Sequence, residues 1–373
     1  MVESIRKHFR ELPDPRDRRG RRHRLDEIVI MAILAVICSA DSWQEVAQFA
    51  RAKKNWLTTF LELPHGIPSH DTFGRVFSAV KPEAFERCFL AWTGALADRP
   101  SGGLMALDGK TLRRSFDRAS ERAAIHMVSA WSTTNSLVFG QLATEAKSNE
   151  ITALPKLLEW LDIRGTVVSI DAMGCQRDIA RQIVENGGDY LLSLKGNQST
   201  MHDEVTWWLD HAIAGQLPEA RLDYHEQIDK GHGRLETRKV WSTEQVEWFA
   251  DRDRWAGLRA LVAVESQRRW PNGRVEQERR YFISSLSQTE AKRFGQLIRC
   301  HWHIENKLHW SLDMSFNEDA CRVRKGYAAE NFSRLRRMAL NLLKHETTEK
   351  VGIKAKRLRA GWDENYLLKV LTG

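Results

Sequence analysis

The order of the predicted elements between residues 102 and 198 constrains the fold of this chain more than any other feature. Strand patterns occur at 104–107, 126–133, 137–145, 166–170 and 190–194, with helical patterns at 151–161 and 177–186. Strands joined by a short turn pair antiparallel, whereas strands joined by a helix become parallel neighbours. The order therefore predicts an α/β fold with a mixed five-stranded sheet and flanking helices.

Two of these apolar strands are followed by an acidic residue. Leu104–Leu107 precedes Asp108 and then Gly109, and the strand at 166–170 precedes Asp171. A carboxylate at the carboxyl end of a buried strand can act as a ligand or a base at the edge of a sheet. The alternative is that Asp108 begins a turn by hydrogen bonding to its own backbone. One carboxylate does not make a site, so the choice depends on partners elsewhere in the chain.

The first 100 residues are predicted to be all-helical. An apolar helix starts near Asp26, and further helices are expected at 43–52, 56–63, 70–80 and 82–97. A short turn followed by a helix capped by Ser69 has the outline of a helix-turn-helix, which would place His70, Asp71, Thr72 and Arg75 near a DNA groove. A plain helical bundle is the alternative.

Changes in composition divide the rest of the chain. Residues 101–198 are expected to form the first part of an α/β core, and 199–288 a β-rich insertion with hairpins around 230–233 and 271–273. Helices at 289–346 are expected to complete the core, and 347–373 to be a basic tail. This division predicts that the insertion precedes the last helices of the core.

The charge distribution indicates a polyanionic partner. The chain has 57 Lys plus Arg against 49 Asp plus Glu, a net charge of +8. Residues 322–359 hold twelve of these cations and three Glu, which favours contact with phosphates. A second basic run, at residues 16–24, can neutralise several phosphates, although a solvent-exposed run of charges without a partner is the alternative. Its members are Arg16, Arg18, Arg19, Arg21, Arg22 and Arg24.

Several classes of protein are excluded by the sequence patterns. The five cysteines are scattered without a CxxC pair, which is typical of reduced thiols in the cytoplasm. The apolar run at 28–38 is too short to span a bilayer, so no membrane partner is expected. A Walker-type loop and a GxGxxG motif are both missing, which argues against a nucleotide cofactor.

The segment 301–325 carries the second cluster of candidate ligands. His301, Glu305, His309 and Asp313 recur every four residues and are predicted to lie along one helical face, beside an apolar stripe. Three hypotheses follow: an ion-paired surface, a zinc site of His301, Glu305 and His309, or a magnesium site in which Glu305 joins the two strand-end aspartates. The absence of HExxH and of paired cysteines weighs against zinc.

Four blocks of the sequence resemble those of bacterial insertion-sequence transposases of the DDE class, in the H-repeat-associated group. They are MALDGKTLR, VSIDAMGCQRDIA, YLLSLKGNQ and HWHIENKLHWSLDMSFNED, and the resemblance covers nearly the whole chain. It implies an RNase-H-like catalytic core, a β-rich insertion, and a helical amino-terminal region that helps to bind transposon ends.

The resemblance also implies roles for individual residues. Asp108, Asp171 and Glu305 match the three catalytic acids, which would hold two Mg²⁺ ions, with Mn²⁺ as a substitute and Asp108 as the bridging ligand. In related transposases a Tyr, an Arg and a Lys flank the glutamate, and here Ile298, His301 and Leu312 occupy those positions. His309 or Lys307 is the proposed replacement. Phosphate contacts are expected from Lys110, Arg113, Lys195, Arg322 and Arg324.

The implied activity is metal-dependent cleavage of a strand at each transposon end, followed by transfer of the freed 3′-hydroxyl into target DNA. The expected partner is double-stranded DNA, as terminal inverted repeats and target. A homodimer is expected in the DNA complex because two ends must be paired. The protein is then cytoplasmic, and nucleoid-associated when bound to DNA. Two alternatives are an inactive DNA-binding repressor and an RNase-H-like nuclease without strand transfer.

Overall fold

The structure is a computed structural model that describes residues 2–97, 103–116, 123–144, 150–231, 233–287 and 290–372. The α-helices are α1 (Val2–Phe9), α2 (Leu25–Ile37), α3 (Trp43–Ala52), α4 (Lys54–Leu57), α5 (His70–Ala79), α6 (Pro82–Leu96), α7 (Glu150–Trp160), α8 (Arg177–Glu185), α9 (Ser199–Ile213), α10 (Ala291–His301), α11 (Trp310–Phe316), α12 (Ala328–His345), α13 (Ile353–Trp362) and α14 (Glu364–Thr372). The strands are β1 (Leu104–Thr111), β2 (His126–Ser132), β3 (Leu137–Ala143), β4 (Val167–Ile170), β5 (Asp189–Leu194), β6 (Asp223–Gly231), β7 (Arg234–Thr243), β8 (Ala260–Arg269) and β9 (Val275–Ser284).

The first five strands form the predicted mixed sheet, in the order β3-β2-β1-β4-β5. Strands β1, β2 and β3 form an antiparallel meander. Strand β4 lies parallel to both β1 and β5 because helices α7 and α8 carry the chain back across the sheet. This arrangement confirms the predicted α/β class and brings the carboxyl end of β4 beside the middle of β1.

The sheet of the described residues has nine strands, whereas a sheet of five strands is predicted from the sequence. The insertion continues the same sheet, because β9 pairs antiparallel with β5 and is followed by β8, β7 and β6. The free edge of β5 offers unpaired backbone groups, and the apolar end of β9, with Ile283 fully buried, covers it. The two hairpins predicted within the insertion are both present.

The amino-terminal helices share one apolar core with the carboxyl-terminal helices. Helix α2 is buried along its length and packs against α12, which also contacts α5 and α6. Arg334 and Arg337 of α12 are fully buried and pair with Glu86 at 2.6 Å and Glu318 at 2.9 Å. The prediction that the whole basic span 322–359 faces phosphates is therefore wrong for α12, where Arg334 joins this helix to α6 and Arg337 pairs with an acid of the segment before α12.

The sequence patterns misplace some helices. The helix predicted at 56–63 is only the short α4, because Thr58 and Thr59 bond backward to carbonyls and Pro64 disfavours helical geometry at residue 63.

Residues 347–373 are expected to be a tail but form α13 and α14. The sequence does not show an apolar repeat for α13, because two of its buried positions are Lys356 and Arg357, which donate to backbone carbonyls. Helix α1 is not predicted at all.

Some predicted positions fall outside the described residues. They are the boundaries at 100/101 and 288/289, the hairpin end at Glu145, and His232 of the turn between β6 and β7. Among the described residues, every α-helix is either too short or too polar to cross a membrane.

Candidate active site

Strands β1 and β4 bring the first two acids to the same level of the sheet. Leu107 pairs with Ile170 in the parallel ladder, so the next residues, Asp108 and Asp171, are neighbours. The turn hypothesis for Asp108 is wrong, because β1 continues to Thr111 and Asp108 lies opposite Ser129 of β2. Asp171 does follow the end of its strand, and its carboxylate accepts a hydrogen bond from the N–H of Met173 at 3.0 Å.

Glu305 lies near the same edge of the sheet, on a segment where the helix changes from α-helical to π-helical geometry. Residues Ile304–His309 form a π-helical turn between α10 and α11, so the single continuous face predicted for 301–313 does not exist. Ile304 and Leu308 are fully buried and anchor this turn, whereas the side chain of Glu305 is half-exposed. Turns of this kind occur frequently at functional sites because they redirect side chains.

Asp108, Asp171 and Glu305 line one cavity of about 230 Å³. Lys195, from the loop after β5, and His301 of α10 line the same cavity. The three acids come from β1, from the end of β4 and from the π-helical turn, which are far apart in the sequence. The tertiary structure thus brings together the three residues that the sequence singles out as catalytic acids.

Burial and mutual repulsion disfavour the charged forms of two of these acids. Burial, together with the charge of Glu305, raises the pKa of Asp108 to about 8. Burial and the charge of Glu150 also raise the pKa of Asp171. A hydrogen bond with His309 holds the pKa of Glu305 below its usual value. Carboxylates whose charged forms are disfavoured by burial and by one another are stabilised when a cation binds between them.

The ligand atoms present fit a divalent ion. One atom each from Asp108, Glu305 and His309 lies within 4.8 Å of the others. The zinc hypothesis required His301 in this group, but its Nδ1 lies 2.9 Å from the hydroxyl of Ser169. Burial lowers the pKa of His301 to about 4, so its imidazole is neutral. Among the described residues the close set is therefore two carboxylates and one imidazole.

Glu150 is a fourth acid near the cavity that the sequence analysis misses. It begins α7, and its carboxylate lies 2.6 Å from Nε2 of His126. Its charge raises the pKa values of both Asp108 and Asp171. A Cβ atom at Gly109 would lie 2.1 Å from the Glu150 carboxylate, so a larger residue there would have to displace the end of that side chain. An acid in the first turn of a helix is common, and the sequence alone does not distinguish Glu150.

The basic residues predicted around the acids lie in different environments. The Lys110 ammonium is buried and lies 2.8 Å from both Asp313 and Asp319. Arg113 is exposed and pairs with Asp319 at 3.2 Å. Of these predicted contacts, Lys195 is the one that lines the cavity with the acids.

Arg322 and Arg324 lie at a second place, beside the start of α5. A groove of about 490 Å³ there is also lined by His70 and Arg75, two residues of the predicted helix-turn-helix. Helix α5 packs against both α3 and α12, so it belongs to a larger helical assembly. The groove therefore joins predicted DNA contacts from the amino-terminal region and from the carboxyl-terminal part of the core.

The basic run at 16–24 is partly neutralised by local acids. Arg16 and Arg21 lie within 2.7 and 3.7 Å of Asp14, and Arg24 pairs with Asp26. The exposed members of this run are Arg18, Arg19, Arg21 and Arg22.

The insertion, together with α10, forms a basic groove that the sequence patterns do not predict. This groove has a volume of about 460 Å³ and shares Arg280, Ile298 and Trp302 with the lining of the acidic cavity. Its cations come from three strands and one helix, so only the folded sheet collects them. They are Arg234, Arg238, Arg268, Arg280, Lys292 and Arg299. Two acids partly neutralise them, because Glu236 pairs with Arg238 and Arg268, and Asp229 pairs with Arg238 and Arg299.

Two family models match the chain. A model described as "Transposase DDE domain" matches residues 99–342, which contain all three acids of the cavity. A model described as "DDE_Tnp_1-associated" matches residues 6–93, which contain α2 to α5 and most of α6.

Several known bacterial proteins are similar to the chain. YhhI of Escherichia coli (strain K12), named as a proposed H repeat-associated transposase, is 40% identical in an alignment that covers 100% of this chain and 98% of YhhI. YncI of Escherichia coli O157:H7, named as a proposed transposase, is 40% identical over 99% of this chain and 95% of its own. A protein of the dhlA 3′ region of Xanthobacter autotrophicus is 46% identical over 76% of this chain and 95% of its own.

Proposed function

The chain belongs to the DDE transposase family, in the H repeat-associated group, and from this membership we propose that it cleaves DNA at the ends of a mobile element and joins the freed 3′-hydroxyl to target DNA. The observation that carries the proposal is the shared cavity of Asp108, Asp171 and Glu305. Two carboxylates of this group have raised pKa values, which is typical of a functional site.

Asp108, Asp171 and Glu305 would hold divalent ions, Mg²⁺ or Mn²⁺. When bound, such ions activate the attacking water or 3′-hydroxyl and stabilise the leaving oxygen. The protein holds the acids in place through the β1–β4 ladder and the buried turn at 304–309. Lys195 beside the acids would orient a phosphate of the scissile strand, because its ammonium can bind phosphate oxygens as a point charge.

The basic groove of the insertion supports a path for the DNA strand. It continues from the acidic cavity through Arg280 and Trp302, and its cations outnumber the acids that pair with them, so the excess positive charge can neutralise phosphates. The second groove, with Arg75, Arg322 and Arg324, is a separate candidate contact for duplex DNA. We propose that the two grooves hold different parts of one DNA end and that two copies of the chain pair two ends.

The proposal is tested with Asp108→Asn, Asp171→Asn and Glu305→Gln in a strand-cleavage assay. The substrate is duplex DNA carrying the inverted repeats that flank the gene, with Mg²⁺ or Mn²⁺ added. We expect each variant to lose cleavage and to keep its affinity for the duplex, because the substitutions remove charge but conserve shape. Asp178→Asn, a change of an exposed carboxylate on α8, is the matched control and retains cleavage.

Product analysis separates this proposal from its alternatives. Joined strands in the products support transposition, whereas cleavage without joining indicates a nuclease. Duplex binding by the wild-type protein without any cleavage indicates a repressor. Full cleavage by any one of the three variants contradicts the assigned acids.

A further inference from the structure

His309 lies between two of the acids. It is 4% exposed, and its Nδ1 is 3.4 Å from Oε2 of Glu305 and 3.7 Å from Oδ2 of Asp108. Its Nε2 is buried and has no hydrogen-bond partner among the described residues. The imidazole therefore directs one nitrogen at the carboxylate pair, and the described protein offers no hydrogen bond that would hold the other nitrogen.

The separations match those of ligands on a single ion. Metal–ligand bonds of about 2.1 Å place neighbouring ligand atoms about 3.0 Å apart in octahedral geometry and about 3.4 Å apart in tetrahedral geometry. The two distances from His309 lie at or slightly above this range, and all three ligand atoms lie within 4.8 Å. Small shifts of these three side chains would bring their ligand atoms to the separations expected around one ion.

The backbone keeps the imidazole in this position. His309 ends the π-helical turn, directly after the fully buried Leu308 and close to the fully buried Leu312. These apolar anchors prevent the turn from rotating away from β1. A buried histidine on such a rigid element loses little conformational entropy when it binds an ion.

We propose that His309 is a direct ligand of the ion held by Asp108 and Glu305, and that it shifts the preference of this site from Mg²⁺ toward first-row transition ions such as Mn²⁺. Mg²⁺ takes oxygen ligands and demands octahedral geometry, whereas imidazole nitrogen suits transition ions. This inference rests on the proposed function for the two carboxylates and adds a residue outside the acidic triad.

The test uses the full chain without DNA and with Mn²⁺ as the probe. Pulsed electron paramagnetic resonance detects a nitrogen nucleus bound directly to Mn²⁺, and we expect this coupling in the wild type and its loss in His309→Gln. Titration calorimetry should show that His309→Gln weakens Mn²⁺ binding by about 10-fold or more, as even the loss of an outer-shell partner does. Mg²⁺ binding should weaken much less.

His303→Gln is the matched control, because His303 precedes the same turn but lies outside the close ligand set. It should keep both the nitrogen coupling and the Mn²⁺ affinity. Circular dichroism during heating checks that each variant is folded, and the wild-type spectrum alone decides the question if His309→Gln does not fold. Mn²⁺ bound without nitrogen coupling would overturn the inference, as would equal losses of Mn²⁺ and Mg²⁺ affinity.

The outcomes for the two proposals are distinguishable. Nitrogen-coupled Mn²⁺ in a protein that never cuts DNA contradicts the proposed function but supports the ligand. DNA cleavage by a protein without nitrogen coupling supports the function and overturns the role of His309.

Discussion

The ammonium of Lys110 lies 2.8 Å from a carboxylate oxygen of Asp313. Lys110 follows Asp108 by two residues on β1, and Asp313 lies on α11, directly after the turn that carries Glu305. The ion pair therefore links β1, which carries Asp108, to the helix that directly follows the turn of Glu305. Asp319 binds the same ammonium at 2.8 Å, so Lys110 connects three segments of the core.

Loss of this buried cation should destabilise the protein. We expect Lys110→Met to lower the free energy of unfolding by about 3 kcal/mol, because it leaves Asp313 and Asp319 without their shared partner. Arg113→Ala, which removes an exposed partner of Asp319, should cost less than about 1 kcal/mol. Urea unfolding measures both. Equal small losses, with weaker DNA binding by Lys110→Met, would instead assign Lys110 to phosphate contact.

The raised pKa of Asp108 predicts a pH-dependent stability in the absence of divalent ions. Burial and the charge of Glu305 raise this pKa from 3.8 to about 8, so the folded state binds the proton more tightly than the unfolded state. The resulting stabilisation is full below about pH 4 and is lost as the pH rises to about 8.

Asp108→Asn removes this dependence. A pKa shift of one unit corresponds to a free energy of about 1.4 kcal/mol. Between about pH 5 and about pH 9, the stability of the variant relative to the wild type should therefore rise by at least about 1.4 kcal/mol. Thermal unfolding in a chelator measures the gain, and Asp178→Asn, which is exposed, is the control. Parallel stability curves for Asp108→Asn and the wild type would contradict the raised pKa.

A side chain at Gly109 should disturb two polar residues beside the acids. A Cβ there meets the ends of both Glu150 and His126 within 2.2 Å, so Gly109→Ala must displace this pair beside the acids. We expect a loss of about 1–3 kcal/mol in stability, as for other overpacked sites, together with slower DNA cleavage. Gly94→Ala, where nothing lies within 4 Å of the new Cβ, should leave stability unchanged or improve it. Wild-type cleavage by Gly109→Ala would show that the position of Glu150 is unimportant.

The basic groove of the insertion should contribute to DNA affinity without sequence preference. Lys292→Gln and Arg268→Gln should each weaken binding to any duplex and lower the log–log salt slope by about 1. Arg164→Gln is the control, because Arg164 is exposed before β4, at the opposite end of that strand from Asp171. Filter binding at several salt concentrations gives the slope. An unchanged slope in both groove variants would exclude this path.

Local patterns in the sequence predicted much of the fold. Alternating strands and helices established the mixed sheet, and capping residues such as Ser42 and Ser69 marked where α3 and α5 begin. Asp108 and Asp171 were singled out because each directly follows an apolar run of the sequence. The apolar stripe beside Glu305 indicated a helix that holds a carboxylate in place. These features depend on neighbours a few residues away, which the sequence displays directly.

Only the tertiary structure decided which side chains meet. The ladder between β1 and β4, the π-helical turn and the edge of β5 bring acids, His309 and the arginines of the insertion together from distant segments. The same charge pattern that indicates phosphate contact on a surface is buried in α12, where Arg334 and Arg337 pair with Glu86 and Glu318. A sequence shows which residues carry charge, but burial and the partner across the fold determine whether that charge binds DNA, a metal ion or another side chain.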